Sequence, residues 1–336
     1  MINKKMKKEY YIGLGVFLNP NHPPPPYFGR RWKILFKNIM GKKQGAFFTL
    51  QERKSIPSKN IIIEASSFKK AVDIAQLIYA CLVVLKAGDY FGFEPEITLK
   101  EINKDFKPTN LDTLYTDSLD LASFMAAKAS FNLNLVYAIH KLAISFHLGF
   151  ISCVDLDPYL NSDYLEKPTL KKYFPVKNLV TMSCMITMAY AAIEELNLHT
   201  RASSNLKEWG EKHENDLLKR FKEEKLDPNE LYDWILRGPK TFLERNMSDF
   251  NKMKKAEWSR GPIRDVKVKI TEAIYFSSFL RNKVSAHTLN SPENKKRIKT
   301  LSMYDVTNGQ YLARRLILEK LKLWTLLTNP NKTRQE

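Results

Sequence analysis

The chain has 336 residues, a formal charge of +18 and a pI near 9.6, and 44% of its residues are hydrophobic. That composition supports a sizeable core divided over two domains and excludes a disordered tail protein. The positive excess is spread over both halves and favours polyanionic partners, nucleic acid or an anionic surface, although a Lys-rich proteome would raise the pI without any function.

The first segment, "EYYIGLGVFL", is aromatic and β-branched and has the length of a strand. Four prolines, Pro23 to Pro26, then impose a polyproline II connector within "NPNHPPPPYFGRRWKILF". "GAFFTLQ" and "KNIIIEA" read as further strands. "SSFKKAVDIAQLIYACLVVLKAG" reads as a helix with Ser caps and Gly88 as its terminator. The first part of the chain is therefore expected to be α/β or α+β.

Residues 119–150 predict one long helix or two, with His140 and His147 on one face. "CVDLDPYLNSDYLEKPTLKKYFP" is a linker by composition, broken by Pro158, Pro168 and Pro175. It divides an N-terminal α/β domain, residues 1–170, from a C-terminal domain, residues 176–330. The second domain reads as all-α, and the whole chain as α+β. Helices are predicted over 178–197, 205–225, "DPNELYDWILRG", 265–286, and from about Tyr304 onward, with 240–263 irregular. That is a bundle of about five helices, and no repeat period is present.

The longest apolar stretch, "LVTMSCMITMAYAAI" at 179–193, is shorter than the ~20 residues a bilayer requires. It predicts a buried helix, and the N-terminus has no signal-peptide core. Cys81, Cys153 and Cys184 lie far apart without a C-x-x-C pair, which predicts reduced, buried thiols in a cytoplasmic protein and no zinc site. His140, His147, Asp155 and Asp157 lack the spacing of a metal set. "IGLG" is not a phosphate loop, and no nucleophile motif is present.

The stretch "FSSFLRNKVSAHTLN", residues 276–290, carries the sharpest chemistry. Val266, Ile270, Ala273, Ser277, Leu280 and Val284 are spaced in fours and threes, the seam of a bundle helix. Arg281 and His287 are six apart, about 240° around an ideal helix. A site using both requires the helix to end near Ser285, or two chains to contribute.

"LRNKVSAH" resembles the Arg…His signature of the HEPN superfamily, with Asn282 as the polar residue that follows the arginine. The flanks "RDVKVKITEAIYFSSFLRNKVSAH" and "LSMYDVTNGQYLARRLILEKLKLW" resemble the Apea-like HEPN proteins of bacterial antiphage defence, over roughly residues 176–330. The resemblance implies a HEPN-type helical bundle that acts as a homodimer and cleaves RNA without metal or other cofactor. Arg281, Asn282 and His287 would form the catalytic set. It also implies a role in antiviral defence, of the abortive-infection or toxin–antitoxin kind, and leaves room for a phage-derived activator or an antitoxin as partner.

The residue types suit that chemistry. His titrates near neutral pH and can move the protons. Arg presents a charged planar fork to phosphate oxygens. Asn can position an oxygen or the imidazole. Each chain supplies one such His, so two copies would surround one phosphate. Lys283, four residues before His287, and Lys295, Lys296 and Arg297 in "PENKKRIKT" could hold RNA phosphates.

Plainer readings stand beside these. His287 could cap a helix C-terminus, Arg281 could make a surface ion pair, and the lysines could form a solvated loop. Glu194 or Glu195 could hold Arg281, or could simply be the polar end of an apolar helix. A non-catalytic HEPN module that dimerises and binds RNA or a partner is the alternative function.

Overall fold

The computed structural model describes residues 8–13, 27–30, 32–39, 58–87, 98–101, 116–160, 176–200, 211–236, 264–285, 301 and 303–324. Helix predominates among them. The chain forms two compact units, Met1–Val136 and Tyr137–Glu336.

The first unit holds strands β1 (Lys8–Gly13), β2 (Tyr27–Gly29), β3 (Trp32–Ile39), β4 (Ser58–Ala65) and β5 (Thr98–Glu101) in one five-stranded sheet, ordered β2-β3-β4-β1-β5. Every ladder is antiparallel, so the parallel winding of a doubly wound sheet is absent from the described strands. Ile63 of β4 lies opposite Tyr10 on one side and Ile34 on the other, and it is fully buried. β2 and β3 fall in the segment that the prolines marked as a connector. The prolines themselves and "GAFFTLQ" lie outside the described residues.

Helix α1 (Phe68–Leu85) packs on β4, and α2 (Thr116–Ala129) packs on α1. Ser67 caps α1, its Oγ accepting from the Lys70 N–H at 3.2 Å. The exit is left-handed at Ala87, φ 51°; Gly88, the expected terminator, lies outside the described residues. Ala122, Ala126 and Ala129 of α2 are fully buried, and small side chains there permit close helix approach.

The division between units falls in the first turn of α3 (Leu133–Leu160). Composition had put the boundary at 153–175, but α3 runs to Leu160 and joins the second unit. Ser145 donates to the Met185 carbonyl at 2.8 Å, Gln310 donates to Ser145 at 3.0 Å, and Lys141 pairs with Glu195 at 2.5 Å.

The second unit continues with α4 (Val176–Glu195), α5 (Glu211–Glu223), β6 (Leu231–Leu236), β7 (Arg264–Lys269), α6 (Ile270–Phe279), a π-helical turn (Leu280–Ser285) and α7 (Met303–Lys320). α7 lies along α4. Two corrections to the all-α expectation follow. "LYDWIL" is a strand, and it pairs antiparallel with β7, Trp234 opposite Val266. The long helix begins only at Ile270.

The cause is an alternation that four-residue spacing concealed. Tyr232, Trp234, Val268 and Ile270 are buried, while Leu231, Asp233, Lys267 and Lys269 are exposed. Trp234 sits edge-on between Tyr232 and Phe276, with ring centroids 6.2 and 5.9 Å away. From Ile270 to Leu280 every residue except Glu272 is buried, so this helix is enclosed on all sides rather than along one seam.

The expectation of a fully buried α4 is corrected too. Val180 is 52% exposed and Cys184 is exposed as well, so one side of this apolar helix is open. Cys81 is buried, and burial pushes its thiol well above the usual range. No helix among the described residues is long and apolar enough to cross a membrane.

Candidate functional site

α4 ends in a turn that brings Thr200 back towards the helix. Asn197 adopts φ 62°, the left-handed conformation that asparagine tolerates. Its N–H bonds the Glu194 carbonyl at 3.0 Å, and the Leu198 N–H bonds Ile193 at 3.4 Å. Arg220 of α5 fixes the turn from outside, donating to Asn197 Oδ1 at 2.9 Å. Leu198 is fully buried, and Thr200 is carried beside Tyr190.

There the Thr200 carbonyl accepts from two hydroxyls, Tyr190 Oη at 2.8 Å and Ser278 Oγ at 2.6 Å. The Thr200 N–H donates to Tyr190 Oη at 3.1 Å. Burial pushes the Tyr190 phenol up to about 12. The neighbouring Ser278 hydroxyl and the Thr200 backbone offset part of that, Glu194 adds to it and Arg281 opposes it.

Ser278 links this buried group to the motif. Asn282 Nδ2 donates to Ser278 Oγ at 3.1 Å, and Arg281 Nη1 donates to Asn282 Oδ1 at 2.5 Å. Arg281 Nη2 stands 3.7 Å from Glu194 Oε2, an ion pair beyond hydrogen-bonding reach. Both side chains of that pair are 34% exposed. Arg281 Nε–H is buried with no hydrogen-bond partner among the described residues.

The turn that carries Arg281 and Asn282 is π-helical and packs against α4. A π turn bonds i to i+5 and so alters the angular spacing of an ideal helix; such turns are frequent at functional sites. The helical backbone is described as far as Ser285.

Of the expected site residues, Arg281 and Asn282 are brought together, and Glu194 joins them from α4. Glu195 does not; it pairs with Lys141. The backbone of Lys283 belongs to the π turn, while its side chain, His287, Lys295, Lys296 and Arg297 lie outside the described residues. Among the described residues no group of three His, Cys, Asp or Glu is placed to hold a metal ion. Sequence reasoning did not find Tyr190, Thr200 or Ser278. The available signal was the pair Ser277–Ser278 inside an apolar helix, since a buried hydroxyl needs a partner.

In comparisons with known proteins, the chain matches no family model, no curated protein and no solved structure.

Proposed function

We propose that the chain is a metal-independent endoribonuclease of the HEPN type, working in the cytoplasm as a homodimer in antiviral defence. Residues 176–330 would form the nuclease bundle, and the N-terminal sheet-and-helix region would sense infection or restrain the enzyme. Two copies would bring two Arg281, two Asn282 and two His287 around one RNA phosphate.

One His287 takes the proton of the ribose 2′-OH as its oxygen attacks phosphorus. The other gives a proton to the leaving 5′-oxygen, and the arginines hold the crowded phosphorane. The products carry a 2′,3′-cyclic phosphate and a 5′-OH. Lys283, Lys295, Lys296 and Arg297 would hold neighbouring phosphates without reading sequence. A phage-derived activator or an antitoxin would set when cleavage begins.

The observation that carries this reading is the Arg281 fork, a third of whose side chain faces solvent. One terminal nitrogen is bound to Asn282, and the other faces Glu194 at a distance too long for a hydrogen bond. A guanidinium so held retains donors for phosphate oxygens.

The test is expression of wild type beside Arg281→Ala and His287→Ala, with sequencing of RNA ends that carry cyclic phosphate. Such ends are expected from the wild type alone. Identical RNA from all three, with a candidate activator co-expressed, removes the nuclease reading. The Glu194–Arg281 pair favours a second reading, in which the arginine is neutralised and the module dimerises and binds without cutting. Under it, His287→Ala leaves RNA binding unchanged.

A further inference from the structure

We infer that Ser278 is the positioning residue of the Arg281–Asn282 pair: it turns the Asn282 amide so that oxygen, and not nitrogen, meets the guanidinium. The inference rests on the functional reading above, because it assigns how that site is held.

The argument is one of donors and acceptors. A serine hydroxyl has one hydrogen and two acceptor lone pairs. Ser278 is fully buried, and its Oγ is 2.6 Å from the Thr200 carbonyl, which can only accept. Its hydrogen is therefore directed to Thr200, and lone pairs face Asn282.

At 3.1 Å from those lone pairs only an amide nitrogen is favourable. The amide oxygen is then directed at Arg281 Nη1, 2.5 Å away. The reversed amide would set N–H against N–H at the guanidinium and oxygen against lone pairs at the serine. The shape of an asparagine side chain does not distinguish these two states; its hydrogen-bond partners do.

Thr200 is itself held on both sides. Its carbonyl also accepts from Tyr190, its N–H donates to the same phenol, and the left-handed turn at Asn197 fixes its approach. Orientation thus passes from the end of α4, through one backbone carbonyl and one hydroxyl, to the amide that grips Arg281. Without the Ser278 hydroxyl both amide orientations become accessible, and Glu194, at 3.7 Å, is the arginine's remaining partner among the described residues.

The test uses the full-length chain with Ser278→Ala, which removes one oxygen from a buried position. Cleavage of a single-stranded RNA is expected to lose roughly 10- to 100-fold in kcat, with KM within about twofold of wild type. In protein labelled with 15N-asparagine, the Asn282 side-chain N–H signals, assigned by their loss in Asn282→Asp, are expected to exchange slowly with water in wild type and quickly in Ser278→Ala.

Wild-type kcat together with undiminished protection in Ser278→Ala overturns the inference and leaves the nuclease reading standing. Cleavage by Arg281→Ala and His287→Ala at the wild-type rate removes the nuclease reading instead, and the amide signals alone then decide. They also decide where the two readouts differ. Should the Ser278→Ala chain not fold, fast-exchanging Asn282 amide protons in the wild type are enough to overturn the inference.

Discussion

Arg281 and Arg315 each bury an Nε–H that finds no hydrogen-bond partner among the described residues, yet their surroundings differ. Arg315, on α7, is 14% exposed. It makes a close ion pair with Glu230, stands 3.8 Å from Glu319 and lies 4.6 Å from the centre of the Trp324 ring. Two carboxylates and an aromatic face compensate one cation, and the contacts tie the last helix to the start of β6. Burial lowers the Arg315 pKa and Glu319 raises it. Arg281 has one distant carboxylate and one neutral amide, and a third of its side chain faces solvent. One arginine acts as a rivet, and the other is held with donors to spare. Solvent-facing donor capacity, rather than charge alone, singles out the second as the candidate site.

The strongest way to break that comparison is Arg281→Ala. RNA cleavage should fall roughly 100-fold or more, while the unfolding free energy changes by less than about 1 kcal/mol. Cyclic-phosphate ends and urea titration measure the two quantities.

Arg315→Ala should show the reverse. It leaves Glu230 and Glu319 without their shared cation, at a cost of roughly 2–3 kcal/mol in urea unfolding. Cleavage by the folded fraction should stay within about twofold of wild type. If both variants lose activity and stability in proportion, the distinction between rivet and site is wrong.

Tyr190→Phe sharpens the picture beneath Arg281. It removes the partner of the Thr200 N–H and should cost about 1–2 kcal/mol at neutral pH. It should also change the alkaline limb of stability. In the unfolded chain the phenol ionises near 10, and in the fold near about 12. Between those values the unfolded chain has lost a proton that the fold retains, so stability is whole below pH 10 and falls as pH rises through the window. The Tyr190→Phe chain should show a shallower fall there. Tyr232, whose phenol is also pushed up by burial, keeps part of the slope. An unchanged slope would place Tyr190 in water rather than beneath the motif.

The smallest expected effect is a gain. Gly309 lies inside α7, where a Cβ would meet Ala189 Cβ of α4 at 3.9 Å, ordinary contact. Gly309→Ala should stabilise the chain by about 0.5–1 kcal/mol without altering cleavage. Thermal unfolding measures it, and a loss of stability would show that the α4–α7 contact is tighter than described.

Much of this architecture was legible in the sequence, and the failures have definite causes. α1, α4 and α7 were visible because long helical apolar patterns leave one reading, helped at α1 by its Ser67 cap. The β6–β7 pair was not. Val266 and Ile270 are four apart, an interval that suits one face of a helix and one face of a strand alike, and the buried Tyr232 and Trp234 showed their alternation over too short a run. That most of α3 belongs to the second unit was hidden because composition marks linkers, whereas Lys141 and Ser145 join α4 through individual contacts.

At the site, Arg281, Asn282 and Glu194 were legible as charged or amide groups. Ser278 and the Thr200 carbonyl were not, since a serine in an apolar helix looks like a spacer and a backbone carbonyl has no letter of its own.

The hairpin has a consequence of another kind. Leu236 and Arg264 are ladder partners, so the chain leaves β6 and enters β7 at neighbouring positions, about 5 Å apart. The chain exits and re-enters through one doorway. A foreign domain whose own termini lie close together can be joined across these two strand ends without pulling them apart. Because β7 runs directly into the helix whose π turn carries Arg281, such grafts change what the protein displays while the strand leading to the motif keeps its register. The doorway is a place where lineages can diversify, and engineers can insert a reporter, without rebuilding the site.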